Sequence, residues 1–175
     1  MAKKQFKFEQ FTAESAAASR QAWLHEAKDG LAFEPEIERL FDWVDSHQSI
    51  CDNDSVAFGV FEGLTNKAVG ICEVIIQRKT IRSKWVKMLR LHLRPSTDAK
   101  LQDGHPEEAM DVFVESMQGS MGLQMAHQAN TLKVYGRTNE QLNFLRALLR
   151  HLQPTLEGKP VKASIEGRFL SIVIS

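Results

Sequence analysis

Two ionisable residues lie in segments that alternate like strands: Glu73, between Cys72 and Val74, and His92, between Leu91 and Leu93. Groups so placed can face a cleft, and either could take a proton from an amine if its pKa lay near neutrality. A strand edge or a partly solvated face accounts for both without any chemistry. Arg78, Lys79, Arg82, Lys84 and Lys87 gather positive charge around one turn. Such a cluster suits an acidic partner or a phosphate, and equally a turn in water. Met110, Met117, Met121 and Met125 share one helical segment. Soft side chains of this kind can line an acyl pocket, and the same spacing serves a helix packed on a sheet. His25, His47, His105, His127 and His151 show no ligand spacing on a shared face, so no metal site is expected.

The composition narrows the classes. A chain of 175 residues that is 43% apolar and 25% charged is long enough to bury one core and too apolar to stay disordered. Lysine plus arginine and aspartate plus glutamate are equal at 22 each, so no net field draws the molecule to nucleic acid or to an anionic membrane. Cys51 and Cys72 are too few for a disulfide framework, and no apolar run approaches membrane-spanning length. A cytoplasmic protein is expected, with residues 1–175 forming one domain.

The elements that must position these residues follow from periodicity. Phe6, Phe8 and Phe11 frame a first strand; Thr12 can cap a helix running to about residue 28, with Gly30 as its stop. Pro35 opens a second helix, whose Ile37, Leu40, Phe41 and Val44 share one face. Strands are expected over 56–61 and 68–77, the latter apolar on both alternating sets and so covered on both sides. A further strand over 85–94 alternates Leu89, Leu91 and Leu93 against Arg90, His92 and Arg94. Residues 96–105 have no period and read as a loop. Pro106 then opens a helix with Met110, Phe113, Met117 and Met121 as its stripe, in which Gly119 and Gly122 predict a break, a kink or a close contact. After a strand over 132–136, Thr138 and Gln141 form a capping box for a helix that Pro154 and Gly158 should end, and residues 161–174 make a terminal hairpin.

In the order β-α-α-β-β-β-α-β-α-β-β the chain resembles the Gcn5-related N-acetyltransferase (GNAT) superfamily over almost its whole length. Leu91-His92-Leu93-Arg94-Pro95 is similar to that family's fourth strand, and Val134-Tyr135-Gly136-Arg137-Thr138-Asn139 to its fifth strand entering an asparagine-led helix. The resemblance implies an α+β domain. About seven strands would form a mainly antiparallel, twisted sheet with two helices on each face, and the fourth and fifth strands would splay around acetyl-CoA or another acyl-CoA.

The resemblance also implies site residues. Leu93 and Arg94 would offer backbone to the pantetheine arm, and Asn139 would lead the helix beside it. The family's diphosphate loop begins with Arg or Gln and carries glycines, but here Asp98 stands at the first position, and Ala99 and Leu101 stand where glycines are expected. After Pro106 come Glu107, Glu108 and Asp111, which bring acids to the helix end that a diphosphate would need. The family's tyrosine acid falls at Asn139 plus seven, which is Arg146. A guanidinium could steady a thiolate but cannot protonate it. The missing loop and missing acid point to a weakly active or silent relative that binds a ligand or protein partner. The alternative is an acyl-CoA-dependent N-acyltransferase acting on a small-molecule amine, with Glu73 or His92 as base.

Overall fold

A computed structural model describes residues 5–49, 55–63, 65–77, 84–158 and 160–174. The elements are β1 (Phe6–Gln10), α1 (Ala13–Glu26), α2 (Glu34–Ser46), β2 (Ser55–Glu62), β3 (Ala68–Ile76), β4 (Trp85–Leu93), α3 (Pro95–Gln102), α4 (Glu107–Ala126), β5 (Thr131–Tyr135), α5 (Asn139–Leu156), β6 (Val161–Glu166) and β7 (Phe169–Ile174). The strands form one seven-stranded sheet in the order β1-β2-β3-β4-β5-β7-β6. Every pairing is antiparallel except that of β4 with β5.

β3 is covered on both faces, as its doubly apolar sequence requires. Towards α4 and α5, Cys72, Val74 and Ile76 join Val56, Phe58, Val86, Met88, Met117, Leu132 and Leu145 in the larger core. Towards α1 and α2, Ile71 packs with Ala57, Phe61, Trp23, Phe41 and Val44. α1 is also held by polar contacts. The Trp23 indole donates to the Ala68 carbonyl at 2.7 Å, and the buried Ser19 hydroxyl accepts the Ala68 N–H at 2.8 Å. Each satisfies a backbone group that would otherwise be stranded at the start of β3.

Several expectations change. Residues 96–105 are not a loop: α3 occupies most of them, with only Pro95 and Thr97 buried, too sparse a pattern to show as a period. α1 ends at Glu26 and passes into a π-helical turn over Ala27–Leu31 that closes on Gly30 at φ 84°. α4 runs unbroken through both glycines. Gly119 is there for a close contact, because a Cβ would fall on the Phe8 ring, whereas nothing lies near Gly122. Pro154 does not end α5 but sits inside its last turns; the turn comes at Gly158, with φ 75°.

β4 also departs from simple alternation. Val74 pairs with Met88 and Glu73 with Arg90, so Leu89 is an extra residue, a β-bulge. Val86 and Met88, which unbroken alternation would group with Arg90 and His92, instead share the α4 side with Leu91. Among the described residues, no helix is long and apolar enough to cross a membrane.

Candidate functional site

β4 and β5 pair only from Trp85–Thr131 to Met88–Val134. Beyond Met88 the strands part, and the opening holds a cleft of about 560 Å³ between α4 and α5. That is an ordinary size for a small-molecule site. Its floor is apolar: Met88, Leu91, Leu101, Met110, Phe113 and Phe144 line it, with Phe113 and Phe144 edge-to-face at 5.0 Å.

The rim towards β5 is polar and basic. Arg90, His92, Tyr135, Arg137, Thr138, Glu140 and Gln141 reach it. The bulge at Leu89 sets Arg90 opposite Glu73, the Arg90 Nε lying 3.4 Å from Glu73 Oε2. Burial, with Arg90 and Arg137 adding to it, pushes the His92 imidazole down to about 4. His92 is therefore neutral at physiological pH and a weak base. Burial, reinforced by Glu73, pushes the neighbouring Cys72 thiol far up, which leaves it inert. The turn carrying Arg137 is firmly held. Arg168 donates to the Gly136 carbonyl at 2.7 Å, to the Arg137 carbonyl at 2.8 Å and to Asn139 Oδ1 at 3.3 Å. A Cβ on Gly136 would approach the Leu142 backbone to 3.0 Å, closer than side chains ordinarily pack, so glycine eases the tight passage of β5 into α5. Thr138 and Gln141 complete the capping box anticipated from sequence.

At the other end of the cleft, the segment expected to meet a diphosphate is bound to itself. Arg94 Nε lies 3.5 Å from Glu26 Oε1, and Arg94 Nη2 lies 3.5 Å from Glu108 Oε1. Glu26 Oε2 also accepts the Ser96 N–H at 3.0 Å, at the start of α3. Lys100 Nζ donates to Glu108 Oε2 at 2.8 Å. Two carboxylates thus occupy the cations and the free N–H of this corner, where a phosphate would need them. The Arg94 backbone is engaged too: its N–H goes to Val69 O at 2.9 Å, and its carbonyl accepts from Thr97 and Asp98.

The candidates from sequence are dispersed by the fold. Leu93, His92 and Leu101 line the cleft; Glu73 stands behind it on β3, reaching it through Arg90. Asp98 accepts from Gln102 at 2.8 Å on α3, beside the half-buried Ala99. Arg146 lies on an exposed face of α5, bonded to Asn143 at 3.2 Å, and does not line the cleft; Asn139 is taken by Arg168. Lys84 is half-buried and Lys87 lies 4.0 Å over the Trp85 ring, while Arg78, Lys79, Arg82 and Cys51 fall outside the described residues. Met110 reaches the cleft, Met117 and Met121 enter the core, and Met125 is exposed.

In the sequence, Arg137 and Tyr135 do no more than mark the fifth-strand motif, yet both line the cleft. A signal for Arg137 is present: it directly precedes the cap of α5, where a positive charge opposes the helix dipole unless an anion joins it. Among the described residues, no three His, Cys, Asp or Glu side chains are grouped to hold a metal ion.

No protein-family model matches the chain, and no curated protein matches its sequence. Among solved structures it is similar to an acetyltransferase from Trypanosoma brucei, at 12% identity over 82% of this chain and 91% of that one, with a TM-score of 0.48. It is also similar to a GNAT family acetyltransferase from Brucella melitensis in complex with acetyl-CoA, at 11% identity over 98% and 89% of the two chains, TM-score 0.48. An acetyltransferase from Thermus thermophilus matches at 14% identity over 97% and 96%, TM-score 0.42. The strand order and the parting of β4 from β5 are those of the GNAT-like fold that the sequence resembles.

Proposed function

We propose that this chain keeps the cleft of an N-acetyltransferase fold but has given up the diphosphate contact, and that it binds a small ligand there with little or no acyl transfer. One observation carries this reading: Arg94 stands between Glu26 and Glu108, at the corner where a nucleotide cofactor would place its phosphates. A diphosphate entering there would meet two carboxylates already paired with the available cations, whose like charge opposes it. The basic group at the position of the family's acid, Arg146, faces solvent.

A second reading is supported by the cleft itself. An acetyl-CoA-dependent N-acyltransferase acting on an amine would use the unpaired edge of β4 around Leu93 for the pantetheine arm, with Glu73 or His92 as base. Tyr135, rather than Arg146, would then be the hydroxyl able to protonate a departing thiolate. His92 as found is a poor base, which leaves Glu73 the better candidate.

Thermal unfolding with and without acetyl-CoA separates the two. A ligand at 100 times its dissociation constant stabilises the folded state by about 2.7 kcal/mol. The first reading expects no shift at millimolar acetyl-CoA, and a clear shift would overturn it in favour of the second.

A further inference from the structure

The cleft has an apolar floor and, at one point of its rim, uncompensated positive charge. Arg137 has no carboxylate within 4.0 Å among the described residues, although it stands at the positive end of α5. The nearest acid in sequence, Glu140, does not serve it: that carboxylate takes its own backbone N–H and the Thr138 hydroxyl, which hold it below the usual carboxylate range. Arg90 adds a second positive charge to the same rim, with Glu73 on its far side. His92 lies between the fields of both arginines and is kept neutral by burial and by them. A neutral imidazole offers one N–H donor. The rim therefore presents donors and positive charge, while the opposite corner at Arg94 is already neutralised.

We propose that the cleft binds an amphipathic monocarboxylate, its carboxylate held by the Arg137 guanidinium with His92 as a second donor and its apolar tail lying along Met110, Phe113 and Phe144. The inference rests on the reading of the cleft as a ligand site free of nucleotide. A guanidinium fork matches two carboxylate oxygens in one plane, which an ammonium or a hydroxyl cannot exploit. The tail meets aromatic and thioether groups that adapt to a flexible chain. An amine-headed ligand would bring its charge against Arg137 and be disfavoured relative to a carboxylate.

The test is calorimetric titration of the full chain with octanoate, 1-octanol, octylamine, octyl phosphate and acetyl-CoA. The proteins compared are the unaltered chain, Arg137→Gln, Arg137→Lys and Met110→Trp, each first checked for folding by circular dichroism. Octanoate should bind about tenfold or more tighter than octanol, the factor one charge-assisted hydrogen bond supplies. Octylamine should bind more weakly than octanoate. Arg137→Gln should remove the preference for octanoate and leave octanol unchanged, Arg137→Lys should restore part of it, and Met110→Trp should block both ligands. Equal affinity for octanoate and octanol, or tighter binding of octyl phosphate, overturns the carboxylate assignment while leaving the cleft as a ligand site. Binding of none of these probes overturns both. Binding of acetyl-CoA alone overturns both as well, in favour of the transferase.

Discussion

The guanidinium of Arg94 lies 3.5 Å from Glu108 Oε1, and this contact ties the end of β4 to the first turn of α4. Its second partner, Glu26, brings in the end of α1, so one largely buried arginine links three elements beside the cleft-lining Leu93.

Glu26→Gln combined with Glu108→Gln should free Arg94 and Lys100. The double variant is expected to lose about 1–3 kcal/mol of stability, the cost of leaving a mostly buried charge short of partners. It should also gain a thermal shift with acetyl-CoA that the unaltered chain lacks. A folded double variant that remains indifferent to acetyl-CoA would show that the carboxylates are not what excludes it.

The two glycines of α4 should respond in opposite directions to alanine. At Gly119 the added methyl meets the Phe8 ring, and overpacking of this kind costs about 1–3 kcal/mol. At Gly122 the space is open, and alanine should stabilise the helix by up to about 1 kcal/mol. Urea unfolding of the two variants provides the comparison; equal effects would contradict the packing described.

His92 should give the protein an acid-sensitive stability. Its imidazole lies at about 4 when folded against an ordinary 6.5, so between those pH values the unfolded chain binds the extra proton. Stability is complete above pH 6.5 and falls as the pH drops towards 4, by up to about 3 kcal/mol. Urea midpoints of the unaltered chain and of His92→Gln, taken from about pH 7.5 to about 4.5, should diverge over that window. Parallel curves would mean that the imidazole is not held neutral.

Arg168→Leu should loosen the turn between β5 and α5. Three carbonyl and amide acceptors lose their donor, and a loss of about 1–3 kcal/mol is expected in chemical unfolding. Amide exchange should rise first at Arg137 and Thr138; exchange that rises uniformly would assign Arg168 a merely global role.

Much of this architecture can be read from residue order. The doubly apolar β3 and the capping box at Thr138 and Gln141 follow from local chemistry, and the parallel meeting of β4 with β5 follows from the family resemblance. α3 escapes because its sequence buries only Pro95 and Thr97, so a helix forms there without an apolar stripe to announce it. The bulge escapes because an extra residue is visible only against the partner strand. The site is less legible than the fold. The resemblance implies a role for the Arg94 backbone, but it is the side chain that pairs with acids distant in sequence, Glu26 above all. Arg137 and Tyr135 stand within a motif that serves, in sequence, only to mark the fold.

Leu89 means that β4 carries one residue more than its pairing consumes. Deleting a residue farther along the strand would turn the side chains between it and the bulge to the wrong side. Loss of Leu89 would leave Met88, Arg90, Leu91 and His92 on the sides they already face and remove only the irregular stretch of main chain. At that one position the strand has slack, so a shortened protein could separate what the cleft owes to its side chains from what it owes to the path of its backbone.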